Sequence, residues 1–232
     1  MSFPTVTETG GQASTSTHTL TLPSFAAGDL LIAYTFVEQS GLGTWTYASS
    51  TSSFTQLFTT YVQAQQTCRY RVMQSGDSGD LVITGASSLQ LAYSFFKIPA
   101  GEFSGVPESA NINGAYTGEP DPPSLTPSWG SADTLWLALS CNYNPVTTYP
   151  TNYTQLGFRS GNTAVASAYR NNATATEDPS KYVWQSGWYS SAATVAIRPA
   201  AAPPAAAGFL MLEDNSGSYE LEDGSGGTLL EA

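Results

Sequence analysis

Basic residues, histidine and cysteine are scarce in this chain: seven Lys and Arg, one histidine and two cysteines among 232 residues. Eighteen acids leave a net charge of −11. Without a basic surface, neither nucleic acid nor an anionic membrane is expected as a partner. His18, Cys68 and Cys141 are too few for a structural zinc site or a disulfide scaffold, and both cysteines read as buried free thiols. A Ser-His-Asp triad would have to use His18, which reads as an exposed strand residue, and no Gly-x-Ser-x-Gly elbow is present. Phosphate-cradling Gly-Lys-Ser/Thr and dinucleotide fingerprints are missing too. The start, Met-Ser-Phe-Pro, lacks the basic and apolar regions of a secretory signal. No apolar run approaches the roughly 18–20 residues of a membrane helix. The chain reads as soluble and unexported, with no metal or cofactor, and not as an enzyme.

Helical spacing with caps is also missing; the dominant period is two. In His18–Leu22 the leucines Leu20 and Leu22 share a face. In Thr67–Met73, Cys68, Tyr70 and Val72 oppose Arg69, Arg71 and Met73. Strands are also predicted over 30–37, 54–62, 80–84, 89–98, 134–140, 163–170, 181–185 and 192–198, all rich in Val, Thr, Tyr, Phe and Trp and bounded by Gly, Pro, Ser and Asp. Some ten short strands with turns between them predict an all-β fold, an antiparallel β-sandwich or jelly roll.

The two halves of this region look alike. Ser24–Leu31 matches Ser128–Leu135, Phe54–Leu57 matches Tyr153–Leu156, Tyr70-Arg71 matches Tyr169-Arg170, and Lys97–Pro99 matches Ile197–Pro199. These offsets, all near a hundred residues, predict an internal duplication in which each half contributes strands to both sheets, because half a sandwich cannot bury its own apolar face. Between the halves, 99–130 is rich in proline and glycine and lacks periodicity. Such a segment is either a functional loop or a crossover covering one open end of the sandwich.

Three regions are expected: a sandwich over 1–199, an Ala/Pro linker over 200–208, and an acidic repeat tail over 209–232. Leu212-Glu213-Asp214-Asn215-Ser216-Gly217 is echoed by Leu221-Glu222-Asp223-Gly224-Ser225-Gly226 and by Leu230-Glu231-Ala232. The tail holds six of the 18 acids and none of the bases. So short a set of strands is marginal alone in water, and ordering it costs on the order of 25–50 kcal/mol of backbone entropy. A sheet edge, its own or a neighbour's, is the cheapest partner. The tail is therefore expected to be an assembly arm, with Leu210, Leu212, Tyr219, Leu221, Leu229 and Leu230 as its contact residues. A calcium-binding β-roll is the weaker reading, because here the acids precede the glycines.

Aromatic residues are the other resource. Trp136 and Trp184, inside predicted strands, read as core. Trp45, Trp188 and Tyr189 lie nearer strand ends and loops and are the candidate surface aromatics, suited to stacking on a host glycan. Two carboxylates suffice for a glycosidase, but Asp29, Asp77, Asp80, Glu102 and Asp121 sit beside Gly or Pro and read as turn acids, and Glu38 reads as a solvated strand end.

Thr19-Leu20-Thr21-Leu22-Pro23 followed by Ala27-Gly28-Asp29-Leu30-Leu31-Ile32-Ala33, the Tyr153-Thr154-Gln155-Leu156 element, the Glu177-Asp178-Pro179 turn and the closing Ala196-Ile197-Arg198-Pro199-Ala200 resemble a widespread group of tailed-phage and phage-like structural proteins. Tails of the Leu221–Gly226 kind are similarly familiar from virion proteins. The resemblance covers most of 15–200 and the tail, and supplies no catalytic residues. It implies a β-sandwich virion component assembled in the host cytoplasm: a capsid decoration (cement) protein, or else a tail or fibre protein. Its implied partners are the major capsid protein or other virion subunits and further copies of itself, with a closed homotrimer preferred.

Overall fold

A computed structural model describes residues 2–37, 42–47, 53–61, 64–112, 114–159 and 161–201. The tail residues Leu210, Leu212, Tyr219, Leu221, Leu229 and Leu230, the linker beyond Ala201, and Glu38 lie outside the described residues. The chain divides into compact units over 1–200 and 201–232, and the first carries both sheets.

Among the described residues there are fourteen strands and no helix: β1 (Thr7–Leu20), β2 (Leu30–Val37), β3 (Leu42–Tyr47), β4 (Thr55–Tyr61), β5 (Gln65–Val72), β6 (Leu81–Ile98), β7 (Glu108–Asn111), β8 (Ala115–Tyr116), β9 (Thr134–Asn142), β10 (Val146–Thr148), β11 (Thr154–Arg159), β12 (Ala164–Asn172), β13 (Val183–Trp184) and β14 (Tyr189–Ile197). Two antiparallel sheets face each other as a β-sandwich, ordered β1-β6-β2-β5-β4 and β11-β12-β9-β14-β7, with β3 added to β6 and β8 to β14.

Each half of the chain builds one whole sheet, which corrects the expectation that each would feed both. The need to bury an apolar face is met by stacking the two sheets, so no strand has to cross. The likeness between the halves extends to hydrogen-bond register. Ile32 pairs with Tyr70 and Phe96, as Leu137 pairs with Tyr169 and Val195. Thr55 opposite Tyr70 is matched by Thr154 opposite Tyr169, and a bulge follows at the same place, between Gln56 and Phe58 and between Gln155 and Gly157. The outer strands agree as well: Thr7 opposite Lys97 corresponds to Glu108 opposite Ala196.

Two of the sequence matches shift by one residue. Leu31 faces outward, whereas Leu135 faces the partner sheet, so the structural mate of Leu135 is Leu30. Likewise Leu30 pairs with Ile98 and Leu135 with Ile197, which equates Ile98 with Ile197 and not with Arg198. With a side-chain period of two, a one-residue slip exchanges faces, and burial decides the alignment.

The layer between the sheets is built from Leu30, Ile32, Tyr34, Phe36, Phe96 and Ile98 on one side and Leu135, Leu137, Leu139, Val165, Val195 and Ile197 on the other. Each such side chain is worth roughly 1.5–3 kcal/mol of transfer free energy when fully buried. Gln66 enters this layer with its partners in place. Gln66 donates from Nε2 to the Tyr34 hydroxyl at 2.9 Å, and its Oε1 accepts from Thr60 at 3.2 Å and from the Ser191 hydroxyl of the opposite sheet.

Both sheets are covered on their outer faces too. β2, β9 and β14 are buried at every position, so these strands read as continuous runs of apolar and small residues. On the first sheet, Leu20, Leu81 and Ile83, from the far ends of β1 and β6, pack over Leu31, Ala33 and Phe95. On the second, Tyr182 and Trp184 cover Ala138, Ala164 and Ala166, while Leu125 and Trp129 cover Trp136 and Ala196. The proline-rich segment 99–130 is thus a crossover that supplies β7 and β8 to the second sheet, lays Leu125 over its outer face and packs Phe103 against the inter-sheet layer. Leu125 fixes it by a reciprocal backbone pair with Glu177 (2.9 and 3.1 Å).

One sandwich edge is closed by charge. Arg159 at the end of β11 donates through Nη2 to both Glu8 oxygens of β1, at 3.0 and 2.9 Å, with the carboxylate almost fully buried. Gly157 makes room for it, since a Cβ there would fall 2.4–2.7 Å from the carboxylate atoms. Removing the cation strands the buried anion, which costs more than the pair itself contributes. We expect Arg159→Ala to lower unfolding free energy by about 2 kcal/mol, less than for a fully buried pair because Arg159 is partly exposed. Glu8→Gln in that background should restore most of the loss, as read by urea denaturation of the double-mutant cycle.

Candidate functional site

The aromatic residues divide sharply by depth. Trp136 and Trp184 are core, as expected, and their indole nitrogens donate to Asn172 O (3.1 Å) and Ser140 Oγ (3.0 Å). Tyr189, expected at the surface, is 1% exposed. It opens β14 on the same parity as Ala193, Val195 and Ile197, so strand alternation turns it into the inter-sheet layer. There its ring lies parallel to Phe36 at 6.4 Å. Gly114 is required beside it, because a Cβ at that position would fall 1.9–2.5 Å from the ring. Trp45 lies on β3, opposite Ile83 of β6. Trp188 is 57% exposed, as expected.

Trp188 belongs to a surface that the sequence did not reveal. Its ring meets Tyr143 edge-on at 6.4 Å, and Tyr143 in turn meets Phe36 edge-on at 5.3 Å. A line of rings therefore runs from the core out to Trp188 at the end where β2, β4 and β9 finish. Exposed Tyr61, the last residue of β4, lies at this end as well. Tyr143 follows the last residue of a buried strand, and only the stacking of the two sheets brings it beside Phe36.

The titratable residues are employed in folding. Asp29 accepts from Ala26 N (2.9 Å) and Ala100 N (3.0 Å), and Asp77 takes both Arg71 nitrogens at 2.8 Å. Glu102 accepts from the Thr5 amide and hydroxyl at 2.6 and 2.7 Å. Buried Glu177 accepts from Arg170 and Asn172, each at 2.8 Å. Asp121 has its carboxyl raised by partial burial and by Asp178, with Lys181 opposing. Both cysteines are free and buried, as expected. Burial pushes the Cys68 thiol up; it also lifts Cys141 to about 12, against hydrogen bonds with Tyr34 and Ser191 that pull the other way. At such values neither thiol is nucleophilic near neutral pH.

A cleft of about 250 Å³ opens where β1 and β6 pass the start of β12, lined by Gln12, Ser14, Gln90, Asn162 and Thr163. Gln12 Nε2 donates across it to Thr163 O at 2.6 Å. Ala13 and Leu91 complete the lining, which holds neither ring nor charge among the described residues. Among these residues, no three metal-capable side chains come together.

No family model, no curated protein and no solved structure matches this chain.

His18, expected to be exposed, is 1% exposed. It shares strand parity with Leu20, so it joins the apolar cover of the first sheet, and among the described residues neither ring nitrogen has a hydrogen-bond partner. Desolvation lowers its pKa from the ordinary 6.5. The cations Arg69, Arg71 and Lys97 lie on that sheet's outer-facing positions. With a depressed native pKa, the unfolded chain binds the proton first as pH falls below about 6.5, so stability present above that pH is lost toward the native pKa. Chemical denaturation between pH 7.5 and 5.5 should show this fall in the parent and a flatter profile in His18→Leu.

Proposed function

We propose that this chain is a structural component of a tailed-phage or phage-like particle. In this reading it is a capsid decoration protein that docks on the lattice of the major capsid protein. It forms a homo-oligomer, with the trimer preferred, and contacts neighbouring copies through residues 209–232. The observation that carries the reading is the work done by the residues of the likeness. Asp29 pins the turn before β2 to Ala100. Thr154–Leu156 place the bulge of β11. Glu177 anchors the strap that covers the second sheet. Ile197 completes the inter-sheet layer, and Pro199 bridges Phe103. All of them serve architecture, as in a rigid building block. The acidic arm beyond a stiff linker supplies the means to join copies.

Light scattering of the full chain and of a chain ending at Pro199, with co-sedimentation on capsids of its own particle, tests this reading. We expect a defined oligomer that binds particles to become a monomer that binds weakly. Unchanged mass and binding after truncation would reject the arm's role.

A second reading, a glycan-binding module on a tail fibre, is favoured by one feature: Trp188 stands exposed on the Tyr143 edge, a shape on which a pyranose ring can stack. Here Trp188→Ala should abolish binding to host-surface glycan on an array, at least tenfold in apparent affinity, while assembly and the melting temperature stay as in the parent.

A further inference from the structure

Four strands end the main paths of the two sheets, with β3 and β8 paired off those paths, and the four are not equally guarded. β1 and β11 are tied to each other by Glu8 and Arg159. β7 begins with Glu108, whose carboxylate accepts from the Ser128 amide at 2.9 Å and from the Ser128 hydroxyl. β4 differs from all three. Thr55–Tyr61 contains no charged residue and no proline, and pairs among the described residues with β5 alone. Thr55, Gln56, Thr59 and Tyr61 are exposed, and past the single bulge Phe58–Tyr61 is regular. A sheet edge presents a row of backbone donors and acceptors, and proteins normally blunt it with charge, proline or a cover. The equivalent strand of the second repeat, β11, has the same register and bulge yet ends in Arg159. Among the described residues, β4 carries no such charge where β11 ends in Arg159, a difference between the repeats.

We propose that the β4 edge of one copy receives residues 209–232 of another copy as an added strand. This deepens, and rests on, the reading of the chain as an assembly subunit with an acidic arm. The arm is the occupant its chemistry selects. Leu210 and Leu212, and again Tyr219 and Leu221, alternate with period two, the pattern of a strand that offers one apolar face. The arm holds six acids and no base, so an edge with carboxylates repels it. β7 carries Glu108, and Glu119, Asp121 and Asp178 lie near the cover of the second sheet; β4 is neutral, and β5 behind it bears Arg69, whereas Arg71 is already paired with Asp77. An extended linker over 200–208 reaches roughly 25–30 Å at about 3.1 Å per residue, enough to leave one body for the next. Backbone hydrogen bonds supply the adhesion and the alternating side chains set the register. An arm on one copy and an edge on the next make a head-to-tail contact, which closes into a ring when the rotation permits.

The test uses four full-length proteins: the parent, an edge variant (Thr55→Glu with Tyr61→Glu), a control with the same charges on the other repeat (Thr154→Glu with Gln155→Glu), and an arm variant (Leu212→Asp with Leu221→Asp). Mass is read by light scattering and β4 amide protection by hydrogen exchange, with circular dichroism to confirm folding. We expect the parent and control to be the same oligomer with protected β4 amides, and the edge and arm variants to fall to monomer mass and lose that protection. If the arm variant dissociates while the edge variant stays assembled, the β4 site is wrong and the assembly-arm reading stands. If neither dissociates, or the parent is a monomer, both are overturned. Dissociation of the control together with the edge variant also overturns the site, because any added edge charge would then suffice. Should the double edge variant not fold, Tyr61→Glu against Tyr61→Phe decides the same question: only the charged change should break the oligomer.

Discussion

The apolar layer between the sheets is the constraint on which the rest of the molecule depends. Each half of the chain makes a six-strand sheet whose five main strands keep the same register, and each such sheet leaves large apolar side chains facing nothing until the other sheet arrives. Stacking β1 over β11 and β4 over β7 satisfies both inner faces at once. A single repeat would expose that surface to water, so stability comes from the pair. The bonds from Gln66 to Tyr34, Thr60 and Ser191 add direction to this otherwise non-directional attraction, since a displaced sheet would leave buried polar atoms without partners.

The outer faces extend the same logic. In the central strands neither face alternates toward water, so each sheet needs a cover, and the two halves meet that need differently. The first half prolongs β1 and β6 and folds their ends over Leu31 and Phe95, taking His18 into the apolar cover. The second half lays its long proline-rich crossover, together with Tyr182 and Trp184, over its alanine-rich face. The repeats keep a common sheet and diverge in their covers and edges. Those are also the parts where the exposed Trp188 and the uncharged β4 edge occur.

Much of the fold is legible in the order of residues. Alternation in 18–22 and 67–73 locates strand faces correctly, and Leu30–Val37 has the bounds its composition predicts. The runs 80–84 and 89–98 read as two strands and are one, because β6 pairs with β1 on both sides of an irregularity at Thr15/Thr17. Short strands such as β7, β8 and β10 carry too few residues for any period to register. The candidate surface is less legible. Tyr189 has the composition of a loop aromatic, and its inward parity shows only once its strand is known to begin there. The alternation that places Leu20 and Leu22 together also puts His18 with them, but exposure of that face depends on what covers it.

Residue order determined the strand content, the repeat, the acidic C-terminal composition and the scarcity of basic side chains, because period, composition and charge are local properties of the chain. Tertiary structure decided which sheet each strand joined, that Leu31 and His18 on an outer face were covered, and which of the described edges carried charge. Those outcomes depend on partners a hundred residues away, and on a one-residue register that only burial of the whole layer can select.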